Sequence, residues 1–314
     1  MDTLQAIFDD IDAMAASPIG WNQQYEQIGR GKFQGSVTQI VLNSVQIGRV
    51  TWSPGILQRG APAEGAWVFG LPIAAAGSLH VRYRQIASGE IIAATSDDDI
   101  GFAATGETDL VVAVLPVPLI ERWMQVRRNN TPLPKPHDAR LSVTDAELRA
   151  RALALLRILN QLMARKDELS AGDVIAAIEA QISDILLASL PSAEIVEPLH
   201  HRARIARNML AILKESLEIP VGIGELCEKL GVGERTLFLS CAEAFGQSPA
   251  RLLAELRLNA ARRALSQPTP LTSVTRVAIQ FGFMHFGRFA ESYVRQFGEL
   301  PSATLAEAGA WRGH

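Results

Sequence analysis

Near the C-terminus of this 314-residue chain, arginines recur on helical faces in a pattern suited to recognising bases and phosphates. Turning the segment 286–297 at about 100° per residue collects Phe286, Phe289, Tyr293 and Phe297 on one narrow face. Arg288, Glu291, Ser292 and Arg295 gather opposite, with His285 near the edge. The aromatic face would seat the helix on a core and leave the polar face free. Arginine can bond guanine O6 and N7 together or hold a phosphate, so Arg288 and Arg295 are the natural readers or anchors. A second such helix lies upstream, with Leu237, Cys241 and Ala244 inward and Arg235, Thr236, Leu239, Ala242 and Glu243 outward. There Leu239 and Ala242 suit thymine methyl groups, whereas Arg235 and Thr236 suit phosphate. Arg235 is the lone basic group of that face, so the upstream helix is expected to supply less of the salt-dependent affinity. Solvated charges on an ordinary surface helix would look the same taken singly; their repeated setting separates the two readings.

That setting is a duplicated plan. Residues 223–249 and 274–301 each read as a short apolar helix, a turn carrying Gly, a second amphipathic helix, then Gly and a nearby Pro that end it. Two helix-turn-helix units follow, at about 223–246 and 274–298. Such a unit holds its second helix out where it can enter a DNA groove. Between the units, Ser248 and Pro249 occupy favourable N-cap and N1 positions for a helix running to about Gln267. That helix would span about 27 Å, which can hold two reading heads near one DNA turn, roughly 34 Å, apart.

Charge is divided unevenly along the chain. Residues 199–314 hold 14 Lys plus Arg against 10 Glu and no Asp, whereas residues 1–198 hold 16 basic and 23 acidic groups. The basic end coincides with the helix-turn-helix units, as a nucleic-acid footprint would. The length supports two domain-sized cores. The first residues are acidic and read as helical in period, unlike a signal peptide, and no uncharged run reaches a membrane span. Cys227 and Cys241 fall on apolar positions of the first unit and read as buried thiols, with redox sensing as the rival reading. A reduced, cytoplasmic protein with no membrane association is the expectation.

The N-terminal half has a different period. Between about 33 and 116, short β-branched runs alternate with Gly, Asn, Pro and Asp punctuation: VTQIVL, VQIGRVTW, AWVFGLPIA, SLHVRYRQI, EIIAATS and TDLVVAVLP. An antiparallel sheet or small barrel is expected there. Helical patterns follow at about 117–190, with Thr144 and Glu147 spaced as a capping box and Ile175, Ile178, Ile182, Ile185 and Leu186 forming one stripe. These helices suit dimer contacts or signal transmission, or only pack on the sheet. Prolines at 191 and 198 mark a linker, giving an α+β chain with domains 1–198 and 199–314. For a small-molecule effector the candidates are Trp52, Trp67, Phe69, His80 and Arg82, with Tyr83 facing away from His80 and Arg82 if the strand alternates. A metalloenzyme needs several converging His and carboxylate ligands. Among the expected strands stands only His80, the others being His137, His200, His201, His285 and His314, so no catalytic site, metal or cofactor is expected.

Residues 200–307 resemble the AraC/XylS-type regulator domain, carried by LCEKLGV, RTL with FGQSP, LRLNAARRAL, and VTRVAIQFGFMHFGRFAESYVRQFGELPS. Leu239 stands where the family usually has a basic residue and Cys241 where it usually has an aromatic one, which bears on the first unit's base preference more than on its fold. The resemblance implies promoter binding at direct half-sites, activation through RNA polymerase, a homodimer, and a cupin-like N-terminal β barrel that senses an effector. The segment 21–49, WNQQYEQIGRGKFQGSVTQIVLNSVQIGR, and the far C-terminus are similar to regulators of ethanolamine-utilisation operons, implying ethanolamine or adenosylcobalamin as effector. A ligand-independent regulator whose β domain serves only oligomerisation is the alternative, and a cupin-type metalloenzyme the remote one.

Overall fold

The computed structural model describes residues 1–61, 64–95, 101–128, 139–166, 172–188, 194–195, 201–219 and 221–311. The proline-rich segment 131–138, most of the expected linker at 191–198, and His137, His200 and His314 lie outside them. The N-terminal half is built from β1 (Asp2–Phe8), α1 (Ile11–Ala16), β2 (Asn22–Gln27), β3 (Gln34–Val41), β4 (Gln46–Ser53) and β5 (Ile56–Ala61). It continues with β6 (Ala66–Ala75), β7 (Leu79–Val81), β8 (Arg84–Gln85), β9 (Glu90–Thr95), β10 (Phe102–Ala104) and β11 (Thr108–Pro116).

Two antiparallel sheets result, β1-β3-β4-β11-β6-β9, extended by β12 (Ala139–Ser142) and β13 (Glu194–Ile195), and β2-β5-β10-β7-β8. Among the described residues neither sheet closes on itself, so the strands form open layers where a barrel was expected. The opening segment also departs from its helical reading. Residues 2–8 pair along the whole of β3, from Asp2 with Val41 to Phe8 with Gly35, and only then does Asp10 cap a short helix by accepting from Ala13 N–H at 2.8 Å. Leu4 and Phe8 pack on the core while Ile7 is exposed, which is strand alternation. The run SLHVRYRQI is a hairpin, with Arg82 and Tyr83 at its turn in left-handed backbone (φ 51° and 62°), so alternation does not set their directions.

One face of the large sheet is covered by α2 (Val117–Arg128), α3 (Asp145–Ala164) and α4 (Gly172–Leu187). The capping box forms: Thr144 Oγ1 accepts from Glu147 N–H and the Glu147 carboxylate accepts from Thr144 N–H. The isoleucine stripe of α4 faces this layer, and Glu179 Oε1 accepts from the main-chain N–H groups of Ser44 and Val45, fixing the β3–β4 turn to the helix. The buried faces of α3 and α4 therefore serve packing on the sheet.

The C-terminal half is helical: α5 (His201–Glu215), α6 (Ile223–Leu230), α7 (Glu234–Phe245), α8 (Pro249–Ser266), α9 (Val274–Gln280), α10 (Phe286–Phe297) and α11 (Pro301–Trp311). Its apolar residues form two clusters, and the first runs on into the β layers through Ile28, Leu57, Tyr83 and Ala103. Tyr83 meets Phe245 edge to face at 5.8 Å. The C-cap Gly246 sits at φ 67°, and a side chain there would lie 2.7 Å from Thr105 Cγ2, so only glycine lets α7 end this close to the sheet.

Candidate nucleic-acid interface and effector cavity

In the second unit, Ser273 caps α9 by accepting from Arg276 N–H, Gly282 turns the chain at φ 79°, and α10 begins after His285. A chain of rings seats α10: Phe283 on Phe289 at 4.9 Å, Phe289 on Tyr293 at 5.7 Å, Tyr293 on Phe297 at 4.7 Å. Each buried ring stabilises the seat by about 1.5–3 kcal/mol. Tyr293 Oη shares a hydrogen bond with Thr304 Oγ1 at 2.8 Å, and burial pushes its phenol above the usual range. His285, Arg288, Glu291 and Arg295 are exposed and Ser292 is half-buried on the other side. Phe286 departs from the expected aromatic face: it is 46% exposed at the first turn of α10, where helix geometry leaves no preceding turn to cover it, and buried Gln296 joins the seat instead.

In the first unit Leu237, Cys241, Ala244 and Phe245 are buried, and Arg235, Leu239 and Ala242 are exposed, with Thr236 and Glu243 half-buried. Phe238, which the amphipathic pattern does not single out, is 40% exposed beside Leu239. Glu243 is already engaged: its carboxylate pairs with Arg202 at 3.2 Å and its carbonyl oxygen accepts from His80 Nδ1 at 2.8 Å. Burial pushes the Cys241 thiol up to about 12, which keeps it protonated. Ser248 caps α8 and Pro249 opens it, as their positions suggested.

Part of the basic surplus of the C-terminal half faces its own N-terminal half. Arg263 pairs with Asp12 and Glu26, each at 3.0 Å, and donates to Tyr25 O; Arg262 pairs with Asp10 at 2.9 Å; Lys214 reaches Glu26 at 3.4 Å. The uneven charge along the sequence thus describes, in these residues, two halves complementary to each other, which a reading in terms of DNA alone overlooks. Arg288, Arg295 and Arg235 are the exposed cations on α7 and α10.

The expected effector residues scatter. Trp67 and Phe69 are buried against each other on the face of the large sheet that α2 and α3 cover. His80, 1% exposed, lies at the junction with α7, with Nε2 on Ser78 Oγ at 2.7 Å, and Arg82 stands at the β7–β8 turn. Trp52 faces the opposite way, into the space between the two sheets. There an open-mouthed cavity of about 60 Å³ is bounded by Trp52, Trp21, Tyr25, Gln23, Gln58 and Val112, among others. The strand β2 supplies Gln23 and Tyr25; its polar run hid the alternation that marks a strand.

Residues 226–307 match a family model described as a helix-turn-helix domain. The chain is 34% identical over 99 residues, 31% of its length and 63% of the relative's, to the XylDLEGF operon transcriptional activator 2 of Pseudomonas putida. It is 32% identical over 114 residues, 36% of its length and 34% of the relative's, to a probable thc operon regulatory protein of Rhodococcus erythropolis. The chain therefore spans under two thirds of these relatives. Among solved structures, a probable AraC family transcriptional regulator from Rhodopseudomonas palustris CGA009 is 31% identical, with 33% of this chain and 97% of that one covered and a TM-score of 0.32. Residues 226–307 are a helix-turn-helix domain, similar in sequence to the matched ends of these operon regulators. Among the described residues no helix is long and apolar enough to cross a membrane.

Proposed function

We propose that the chain is a sequence-specific transcription regulator, acting as an activator, whose two helix-turn-helix units read promoter DNA and whose β layers take a small-molecule effector. The observation that carries this is α10: four aromatic or amide side chains, Phe289, Tyr293, Gln296 and Phe297, seat it, and Arg288, Glu291 and Arg295 stand in solvent inside the matched domain. A side-chain set held on a rigid seat with its polar face free is what groove reading requires. The relatives are named as operon activators and regulators, which supports activation and contact with RNA polymerase. A cytoplasmic homodimer on two half-sites fits the same reading.

The cavity between the sheets supports the effector half of the proposal, with Trp52 as the shared member of the expected and observed sets. Ethanolamine, suggested by resemblance, is an ammonium at neutral pH and finds no carboxylate among the described residues of the cavity walls; adenosylcobalamin is far larger than the space. A metalloenzyme reading gains no support from His80, whose two ring nitrogens serve Glu243 O and Ser78 Oγ.

Selection of bound fragments from a random DNA library tests the proposal. A recurrent direct repeat, bound more tightly than the unselected pool at physiological salt, is expected. Enrichment of no motif, or binding indifferent to sequence, overturns it.

A further inference from the structure

Among the described residues, the edges of the two sheets are covered or short, except at β1. In the smaller sheet β2 gives Tyr25 O to Arg263 and both main-chain groups of Gln27 to Asn259, and β8 at the opposite edge is only Arg84–Gln85. In the larger sheet β13 is only Glu194–Ile195. At its other edge β1 runs for 7 residues, paired to β3 without a bulge from Asp2 to Phe8, and carries no lysine or proline. Natural sheets usually protect such an edge, because its unpaired N–H and C=O groups are a template for another strand.

The register identifies those groups. At the β3–β4 hairpin Leu42 N–H donates to Val45 O at 2.9 Å, so the even-numbered residues of β3 bond toward β4 and the odd-numbered ones toward β1. Asp2, Leu4, Ala6 and Phe8 stand opposite those odd-numbered residues and bond to β3. Thr3, Gln5 and Ile7 therefore turn their N–H and C=O groups outward, where no partner meets them among the described residues. Ile7 is also 88% exposed, an apolar side chain left at the free edge.

A second copy of the same strand fits this edge. Laid antiparallel about a two-fold axis at Gln5, Thr3 meets Ile7, Gln5 meets Gln5, and Ile7 meets Thr3, so every outward N–H finds an outward C=O. Sliding one strand by two residues leaves Thr3 or Ile7 without a partner inside the strand. Asp2, the one charge on β1, faces Phe8 instead of its own counterpart, and Ile7 gains Thr3 as its cross-strand neighbour.

We propose that two copies of this chain join through β1, edge to edge and antiparallel with Gln5 on the two-fold axis, so that the two large sheets run on as one. This rests on the homodimer of the reading above and gives it a contact. A strand pair alone is smaller than a standard interface, so the dimer should dissociate at about 1–100 µM.

Sedimentation of the full chain across that range should show the mass double. Hydrogen exchange on the same samples should slow with concentration at the Thr3, Gln5 and Ile7 amides, at least about tenfold at Gln5, while the Leu4, Ala6 and Phe8 amides are protected throughout. Gln5→Pro removes an outward N–H and none of the bonds to β3, so it should fold and stay monomeric. Should that variant not fold, Gln5→Cys should form a disulfide-linked dimer under mild oxidation and Thr3→Cys, which faces Ile7, should not, both made with Cys227→Ser to remove the half-buried native thiol. A chain that stays monomeric, a dimer that persists in Gln5→Pro, outward amides whose exchange ignores concentration, or Thr3→Cys cross-linking as readily as Gln5→Cys overturns the proposal. DNA selection on the same proteins separates the readings. Absence of strand pairing with a motif still enriched overturns the contact alone, and a dimer paired through β1 that enriches no motif overturns the regulator reading alone.

Discussion

The side-chain amide of Asn259 bonds both main-chain groups of Gln27, its Oδ1 accepting from the N–H at 3.0 Å and its Nδ2 donating to the C=O at 2.9 Å. Gln296 Nε2 donates to the same carbonyl at 2.6 Å, and the Gln27 side chain donates to Gln296 O. All three residues are buried. Gln27 ends β2, the edge strand of the smaller sheet, and an edge strand presents unpaired N–H and C=O groups. Here α8 and α10 stand where a neighbouring strand would pair. The same strand sends Gln23 and Tyr25 to the cavity wall. The strand that borders the proposed effector is therefore the strand held by α8, which joins the two units, and by α10.

Asn259→Leu should show how firmly this joint holds. The change leaves the Gln27 N–H buried without a partner and removes one of two donors to its carbonyl. A cost of about 1–3 kcal/mol is expected, read from urea unfolding, together with faster hydrogen exchange at the Gln27 amide. Unchanged exchange at that amide would show that the joint is open in solution.

The helices of the two units were legible because helix caps, turn glycines and amphipathic faces are local signals. Ser248 with Pro249, and the inward Phe289, Tyr293 and Phe297, stand as their spacing suggested. The joint was not legible: Gln27 and Asn259 lie 232 positions apart, and half of their bonding is to main-chain groups that no side-chain pattern marks. Charge misled for a related reason. A count cannot tell an arginine that meets DNA from Arg263, which meets Asp12 and Glu26 on its own chain. Residues 2–8 read as helix because their apolar positions also fit a period of two, and pairing with β3 decides between the periods.

His80 makes the junction between the sheets and α7 sensitive to acid. Burial lowers its pKa below the usual value near 6.5, against the opposing effect of its bond to Glu243 O. A histidine with a depressed folded-state pKa favours the neutral form. Its contribution is present above about pH 6.5 and is lost as pH falls through the lowered value. Wild type should therefore lose more stability than His80→Asn on going from about pH 7.5 to about pH 5.5, by thermal unfolding. Parallel losses in the two proteins would show that His80 titrates as it does in the unfolded chain.

Phe286 and Phe289, three residues apart, should behave oppositely on truncation. Phe289 is 1% exposed in the aromatic seat, and Phe289→Ala is expected to cost about 3–5 kcal/mol of stability. Phe286 is 46% exposed, and Phe286→Ala should cost under about 1 kcal/mol. If the ring of Phe286 meets a thymine methyl group in the complex, the second variant should weaken binding to the selected DNA while unfolding almost as wild type does. A Phe286→Ala protein with normal affinity removes that residue from the interface.

Arg288, Arg235 and Arg263 separate the roles of the basic residues. Removing a cation that neutralises one phosphate should reduce the slope of log affinity against log salt by about 0.9. Removing a side chain that reads a base should instead cost about 1–3 kcal/mol at one position of the site. Arg288 stands exposed on the better-seated helix, beside Glu291 and ahead of Arg295, whereas Arg235 lies on a face with no second exposed cation. Arg288→Ala is therefore expected to lose more affinity than Arg235→Ala across a salt series. An equal or larger loss for Arg235→Ala reverses the assignment of the two units. Arg263→Ala is the control, because its guanidinium is held by Asp12, Glu26 and Tyr25 O on the β layers. It should loosen the junction, seen as earlier thermal unfolding, and leave the salt slope where it was. A reduced slope in that variant would mean that Arg263 leaves its carboxylates for phosphate when DNA binds, and that the charge pairing between the halves is exchanged for contact with the promoter.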